Sequence, residues 1–97
     1  MTPEDIISAV CDVTGVTRES LMGRCRLRKF TYARFLAWGV MRERAGSTAA
    51  SIARRFSRDH STIANGLIKF DSLMVENERF KLEYAALIRT LDERLAA

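Results

Sequence analysis

Apolar residues recur along this chain three and four positions apart, the spacing of one face of an α-helix. There is no sustained alternation of apolar and polar residues, and no Asn-Gly or Asp-Gly pair joins two strand-like runs. We therefore predict an all-α protein of six helices. The apolar positions are Ile6, Ile7, Val10 and Cys11; a short turn at Leu21 and Met22; Phe30, Ala33, Leu36, Ala37, Val40 and Met41; Ala49, Ile52, Ala53 and Phe56; Ile63, Leu67, Phe70 and Met74; and Phe80, Tyr84, Leu87, Ile88, Leu91 and Leu95.

Capping residues mark the ends of the first two helices. Thr2, followed by Pro3 and then by Asp5 three residues after the cap, is typical of a helix N-terminus. Gly15 suits the C-terminal end of that helix, because glycine readily adopts the left-handed backbone conformation. Thr17 is in position to cap the short second helix.

A basic segment separates these helices from the rest of the chain. Residues 23–29 show no apolar period and predict a loop, and a long helix is expected from about residue 31 to residue 44. Gly46 is a stop signal for that helix, and Ser47 or Thr48 begins the next one.

Residues 48–70 have the layout of a helix-turn-helix, with the turn at residues 57–59. Asp59 is a suitable cap for the second helix. One face of that helix is apolar, and the other carries short hydrogen-bonding side chains near its N-terminus and a cation further on. Such side chains are what contact with base edges in the major groove requires. These polar positions are His60, Ser61, Thr62, Asn65 and Lys69.

The positive charge is concentrated in the middle of the chain. The net charge is +4, but residues 18–69 hold twelve of the sixteen basic residues and three of the twelve acidic ones, a net charge of +9 for that segment. Both ends of the chain are acidic. A basic segment of this strength favours a polyanionic partner, although a solvated helical surface with unpaired arginines has the same composition.

Composition argues against several other classes of protein. The 97 residues have room for a single domain, residues 1–97, and contain no apolar run near the roughly 20 residues of a membrane span. The acidic N-terminus is unlike a signal peptide. Two cysteines and one histidine are too few for a disulfide framework or a zinc site. We expect a cytoplasmic protein with no metal, cofactor, membrane or small-molecule substrate.

The turn of the helix-turn-helix carries the signature of a known family. The sequence there is Phe56-Ser57-Arg58-Asp59-His60-Ser61-Thr62-Ile63. It resembles the Phe-Gly-Gly-Arg-Asp-His-Ser/Thr-Thr-Val motif in the C-terminal DNA-binding domain of the bacterial replication initiator DnaA. The resemblance spans nearly the whole chain. Residues 24–28 are similar to the family's basic loop, and Ala33-Arg34 is similar to the start of its long helix. Residues 52–56 match the first helix of its helix-turn-helix.

This resemblance implies a bacterial or phage protein that binds double-stranded DNA as a monomer at the DnaA box, a short asymmetric A/T-rich element. The residues from Asp59 to Thr62 would contact base edges in the major groove, and Arg26 would enter the adjacent minor groove. Arg34 would touch a base or the backbone. Phosphate contacts would come from Arg28, Lys29, Arg42 and Lys69. The complete set of expected DNA-binding residues is Arg26, Arg28, Lys29, Arg34, Arg42, Arg58, Asp59, His60, Ser61, Thr62, Asn65 and Lys69.

The chain departs from the family pattern at several positions. Phe35 stands where the family has glutamine, and the signature is one residue shorter before Arg58. Gly66 lies inside the recognition helix, where glycine costs about 1 kcal/mol relative to alanine. Because glycine has no side chain, it would permit close approach to DNA or to another helix. The sequence has no Gly-rich loop ending in Gly-Lys-Ser/Thr, the phosphate-binding loop of an ATPase domain.

Three classes of function remain open. The first is a sequence-specific DNA binder, associated with the nucleoid, that regulates replication initiation or transcription. The second is a protein-interaction module that keeps the fold without recognising bases. The third, an enzyme, is disfavoured: Asp59, His60 and Ser61 cannot form a catalytic triad, because successive helical residues point about 100° apart.

Overall fold

The computed structural model describes residues 1–96 as six helices joined by short connections, with no strand in that range. This architecture confirms the predicted all-α fold, with a helix-turn-helix formed by the fourth and fifth helices. The helices are α1 (Pro3–Thr14), α2 (Arg18–Met22), α3 (Arg28–Arg44), α4 (Ala49–Phe56), α5 (His60–Glu76) and α6 (Glu78–Ala96).

The helix ends are capped as the sequence predicts. Thr2 and Asp5 form a reciprocal capping box at the start of α1, and Gly15 ends this helix in the left-handed conformation at φ 76°. The side chains of Thr17 and Thr48 accept backbone N–H bonds at the starts of α2 and α4. Each cap satisfies a backbone donor that has no partner within the helix.

Helix α3 begins earlier than its apolar pattern indicates. It starts at Arg28, so the basic loop is residues 23–27, and the Leu27 carbonyl accepts the N–H groups of Phe30 and Thr31. The first two residues of the helix, Arg28 and Lys29, are exposed and therefore add nothing to the apolar pattern. The Arg28 guanidinium lies 5.8 Å from the ring centroid of Tyr32, one turn further along the helix.

Two glycines allow α3 and α5 to pack at very short distance. A Cβ atom on Gly39 would lie 2.2 Å from the Phe70 ring, and one on Gly66 would lie 2.4 Å from the Trp38 ring. Each helix therefore inserts an aromatic ring at a glycine of the other. Of the two roles open to Gly66, the structure shows close approach to a neighbouring helix.

Aromatic side chains extend this contact to the other helices. Trp38 packs edge-to-face on Phe56 of α4, with ring centroids 5.7 Å apart, and on Phe35, at 6.0 Å. Phe70 packs in the same way on Phe80 of α6. The core around α3 thus holds both helices of the helix-turn-helix at fixed positions.

Arg34 fastens the basic loop to α3. Its Nε donates to the Leu21 carbonyl at 2.8 Å, Nη1 to Cys25 at 2.7 Å and Nη2 to Ser20 at 2.8 Å. The residue is only 5% exposed. One planar guanidinium therefore gathers three backbone carbonyls from α2 and the loop that follows it.

We expect Gly66→Ala to destabilise the protein, although alanine is the better helix former. The added methyl would overlap the buried indole of Trp38, and overpacking of this kind costs about 1–3 kcal/mol. Urea unfolding should show a lower midpoint than for Ser72→Ala, a matched change at an exposed position of α5. Equal midpoints for the two variants would contradict the close packing described here.

We also expect Arg34→Met to lower the free energy of unfolding by about 2–4 kcal/mol, because one buried and two part-buried hydrogen bonds lose their charged donor. Arg34→Lys should recover little of this loss, since an ammonium cannot reproduce the planar fork. The control is Arg89→Met, at an exposed position of α6. A denaturation midpoint for Arg34→Met that matches this control would rule out the anchoring role.

Candidate nucleic-acid interface

The turn before α5 is short and strained. Ser57 has left-handed backbone angles, φ 52° and ψ 50°, a conformation that glycine adopts with less strain. The turn is closed by the Arg58 N–H, which donates to the Ala53 carbonyl at 2.9 Å. Asp59 then occupies the N-cap position of α5, as predicted, but its side chain makes no capping hydrogen bond.

The polar face of α5 is open to solvent. Ile63, Gly66 and Phe70 are buried on the opposite face. The carboxylate of Asp59, which does not cap the helix, projects from the same exposed end. The exposed residues of this face that the sequence singles out are Asp59, His60, Ser61, Thr62, Asn65 and Lys69.

Reciprocal arginine bonds tie the basic loop to this turn. Arg24 of the loop donates from Nη2 to the Ser57 carbonyl at 2.8 Å. Arg58 of the turn donates to the carbonyl of Gly23 in the loop and to that of Phe56 at 2.9 Å. The loop therefore has a fixed position beside the N-terminus of α5.

The loop and α5 border one groove of about 540 Å³, the shared groove. Its cationic residues come from the loop, from α3 and from the turn, and its apolar floor comes from α3. The lining residues are Arg24, Arg26, Thr31, Arg34, Phe35, Trp38, Arg58 and Thr62. Arg26 and Thr62, expected on different grooves of DNA, are thus brought to the same surface.

Three of the expected DNA contacts have other partners in the structure. Arg34 is buried, and its guanidinium holds the loop through three backbone carbonyls. Arg58 is half-buried and bonded to carbonyls. Arg42 pairs with the Asp71 carboxylate at 2.7 Å, and this hydrogen bond is the main cause that raises the pKa of Arg42. The Arg42 guanidinium also lies 5.7 Å from the Phe70 ring centroid. A phosphate would have to compete with that carboxylate for Arg42.

Arg28 and Lys29 lie in the exposed first turn of α3 and not in the loop. They border a second groove of about 510 Å³ together with Tyr32, Phe80 and Arg79. Arg79 lies beyond the basic segment of residues 18–69, so the charge pattern of the sequence does not indicate it. In the sequence, Phe35 stands out only because the family has glutamine at that position. The apolar spacing of α3 does not predict that Phe35 lines the shared groove.

Other kinds of site find no support in residues 1–96. No three histidine, cysteine or acidic residues in this range are grouped so that they could hold a metal ion. No helix there has the length and apolarity needed to cross a membrane.

Comparison with known proteins agrees with this geometry. The family model described as "Bacterial dnaA protein helix-turn-helix" matches residues 3–69. The chain is 29% identical over its whole length to chromosomal replication initiator protein DnaA 1 of Chlamydia trachomatis, 28% identical over 98% of its length to DnaA of Leptospira biflexa, and 30% identical over 96% to DnaA of Thermomicrobium roseum.

The chain spans about a fifth of the length of these relatives, 21%, 21% and 20% respectively. The matched family segment includes the basic loop, α3, α4 and the part of α5 up to Lys69. This chain belongs to the bacterial DnaA helix-turn-helix family.

Proposed function

We propose that this protein binds double-stranded DNA at sites like the DnaA box and regulates replication initiation or transcription. The observation that carries the proposal is the shared groove, which Arg24 and Arg26 of the loop border on one side and Thr62 of α5 on the other. A rigid pairing of a basic loop with the start of a recognition helix suits simultaneous contact with adjacent minor and major grooves.

Base recognition falls to the first turn of α5. The side chains of His60, Ser61 and Thr62 are exposed hydrogen-bond donors and acceptors. Asp59 adds an exposed carboxylate that makes no capping hydrogen bond to α5. Arg26 is exposed in the loop, and its guanidinium has the chemistry for a narrow A·T-rich minor groove.

Phosphate contacts surround these two elements. Lys69 is exposed on α5, and Arg28 and Lys29 are exposed at the start of α3. Such contacts fix the orientation of the protein without recognising sequence. With one recognition helix and one loop, the surface fits a single asymmetric site, so we propose that the protein binds as a monomer, at the nucleoid in the cytoplasm.

We expect a DnaA-box duplex to bind more tightly than a scrambled duplex of equal length and composition. His60→Ala and Thr62→Ala should each reduce this preference about 5- to 150-fold, the worth of a good base contact. Lys69→Ala should weaken both duplexes about equally. Fluorescence anisotropy titrations measure the dissociation constants for the two duplexes. If the two constants are nearly equal for the wild-type protein, the result would instead favour a protein-interaction module.

We also expect steep salt dependence, because binding releases counterions from the DNA. The logarithm of the binding constant should fall with the logarithm of salt concentration by roughly 0.9 for each phosphate neutralised. Lys69→Ala should reduce this slope by about one unit, whereas Thr62→Ala should leave it unchanged. A flat salt response of the wild-type protein would contradict the proposed surface.

A further inference from the structure

The arginines of the shared groove differ in their partners from six of the twelve other lysines and arginines of this protein. Those six pair with carboxylates: Arg18 and Arg55 with Glu4, Arg42 with Asp71, Arg44 with Asp92, Lys81 with Glu78 and Arg94 with Asp12. Within residues 1–96, the hydrogen bonds donated by the guanidinium groups of Arg24, Arg34 and Arg58 all go to backbone carbonyls. No acidic residue lines the groove in the described part of the chain.

The groove therefore holds concentrated positive charge that the protein does not neutralise. Burial lowers the pKa of Arg34, and the positive charge of Arg58 lowers it further. Burial and the charge of Arg24 act in the same direction on the pKa of Arg58. An anion in the groove would relieve this repulsion at a site already partly shielded from water.

The floor of the groove is apolar and aromatic. Phe35 is half-buried, and it packs against Trp38 beneath the arginines. A free inorganic anion would leave this surface without a partner. A nucleotide unit of DNA offers both chemistries at once, because its phosphate is anionic and its deoxyribose presents carbon atoms beside the phosphate.

We propose that this groove seats one deoxyribose-phosphate unit of the DNA backbone, with the phosphate at Arg24 and the sugar against Phe35. The inference rests on the proposed function and deepens it. The seated unit lies where the backbone passes between the minor groove, contacted by Arg26, and the major groove, contacted by α5. Phe35 is then a positioning residue that fixes the register of both contacts.

A methylphosphonate scan tests the phosphate half of the proposal. Each linkage of a bound duplex is replaced in turn by this neutral analogue, and affinity is measured for wild-type protein, Arg24→Met and the exposed control Arg89→Met. At one linkage, neutralisation should weaken wild-type and control binding about tenfold, the worth of a charge-assisted bond. In Arg24→Met the same replacement should cost less than about threefold.

Two DNA analogues at the adjoining nucleotide test the sugar half. A tetrahydrofuran residue lacks the base but keeps the sugar, and a propanediol linker lacks both. Wild-type protein and Phe35→Leu should bind the tetrahydrofuran duplex more tightly, by roughly fivefold, the worth of burying a few carbon atoms. This difference should vanish in Phe35→Ser, whose fold is verified by circular dichroism.

The outcomes separate the two levels of proposal. If wild-type protein shows no preference for a DnaA-box duplex, the proposed function fails. If it shows that preference but every linkage penalty is the same in Arg24→Met as in wild type, the phosphate seat is overturned. A sugar-dependent difference that persists in Phe35→Ser overturns the role of Phe35.

Discussion

The interlocking of α3 and α5 is the contact on which the rest of the structure depends. Phe70 fills the space above Gly39, and Trp38 fills the space above Gly66, so the two helices approach more closely than any side chain larger than hydrogen would permit. Helix α5 is thereby held mainly through its buried face, and its first turn stays exposed. Because Arg34 and Phe35 belong to the same segment of α3 as Trp38, the packing that fixes the helix also fixes the floor of the groove beside it.

Arginine has two structural uses in this protein, and they differ in the charge they leave behind. An arginine paired with a carboxylate, such as Arg42 with Asp71, joins two helices and cancels its own charge. An arginine bonded to carbonyls, such as Arg34, joins segments with comparable geometry but keeps its full charge. The second use dominates around the basic loop. The same groups that order the loop therefore also create a field of positive charge at this surface.

Local signals explain why much of this fold follows from the sequence. Apolar spacing locates the helices, and Thr2, Gly15 and Thr17 mark helix ends, because caps act on neighbouring backbone groups. Asp59 marks the start of α5 by its position alone, since its side chain makes no capping hydrogen bond. The start of α3 is hidden because its first two residues, Arg28 and Lys29, are exposed and add nothing to the apolar spacing. The burial of Arg34 and the pairing of Arg42 with Asp71 depend on partners 9 to 14 and 29 positions away. Contacts of that kind leave no periodic pattern, and the same holds for the bond from Arg58 to the Gly23 carbonyl, 35 positions away.

Trp38 gives this protein an internal spectroscopic reporter. It is the one tryptophan in the sequence, it is 2% exposed, and its indole N–H has no hydrogen-bond partner within residues 1–96. An indole in such apolar surroundings emits at shorter wavelength than one in water. Because the ring touches α4 through Phe56 and also lines the groove, its emission is sensitive both to loosening of the helix-turn-helix and to occupancy of the surface beside it, without any added label.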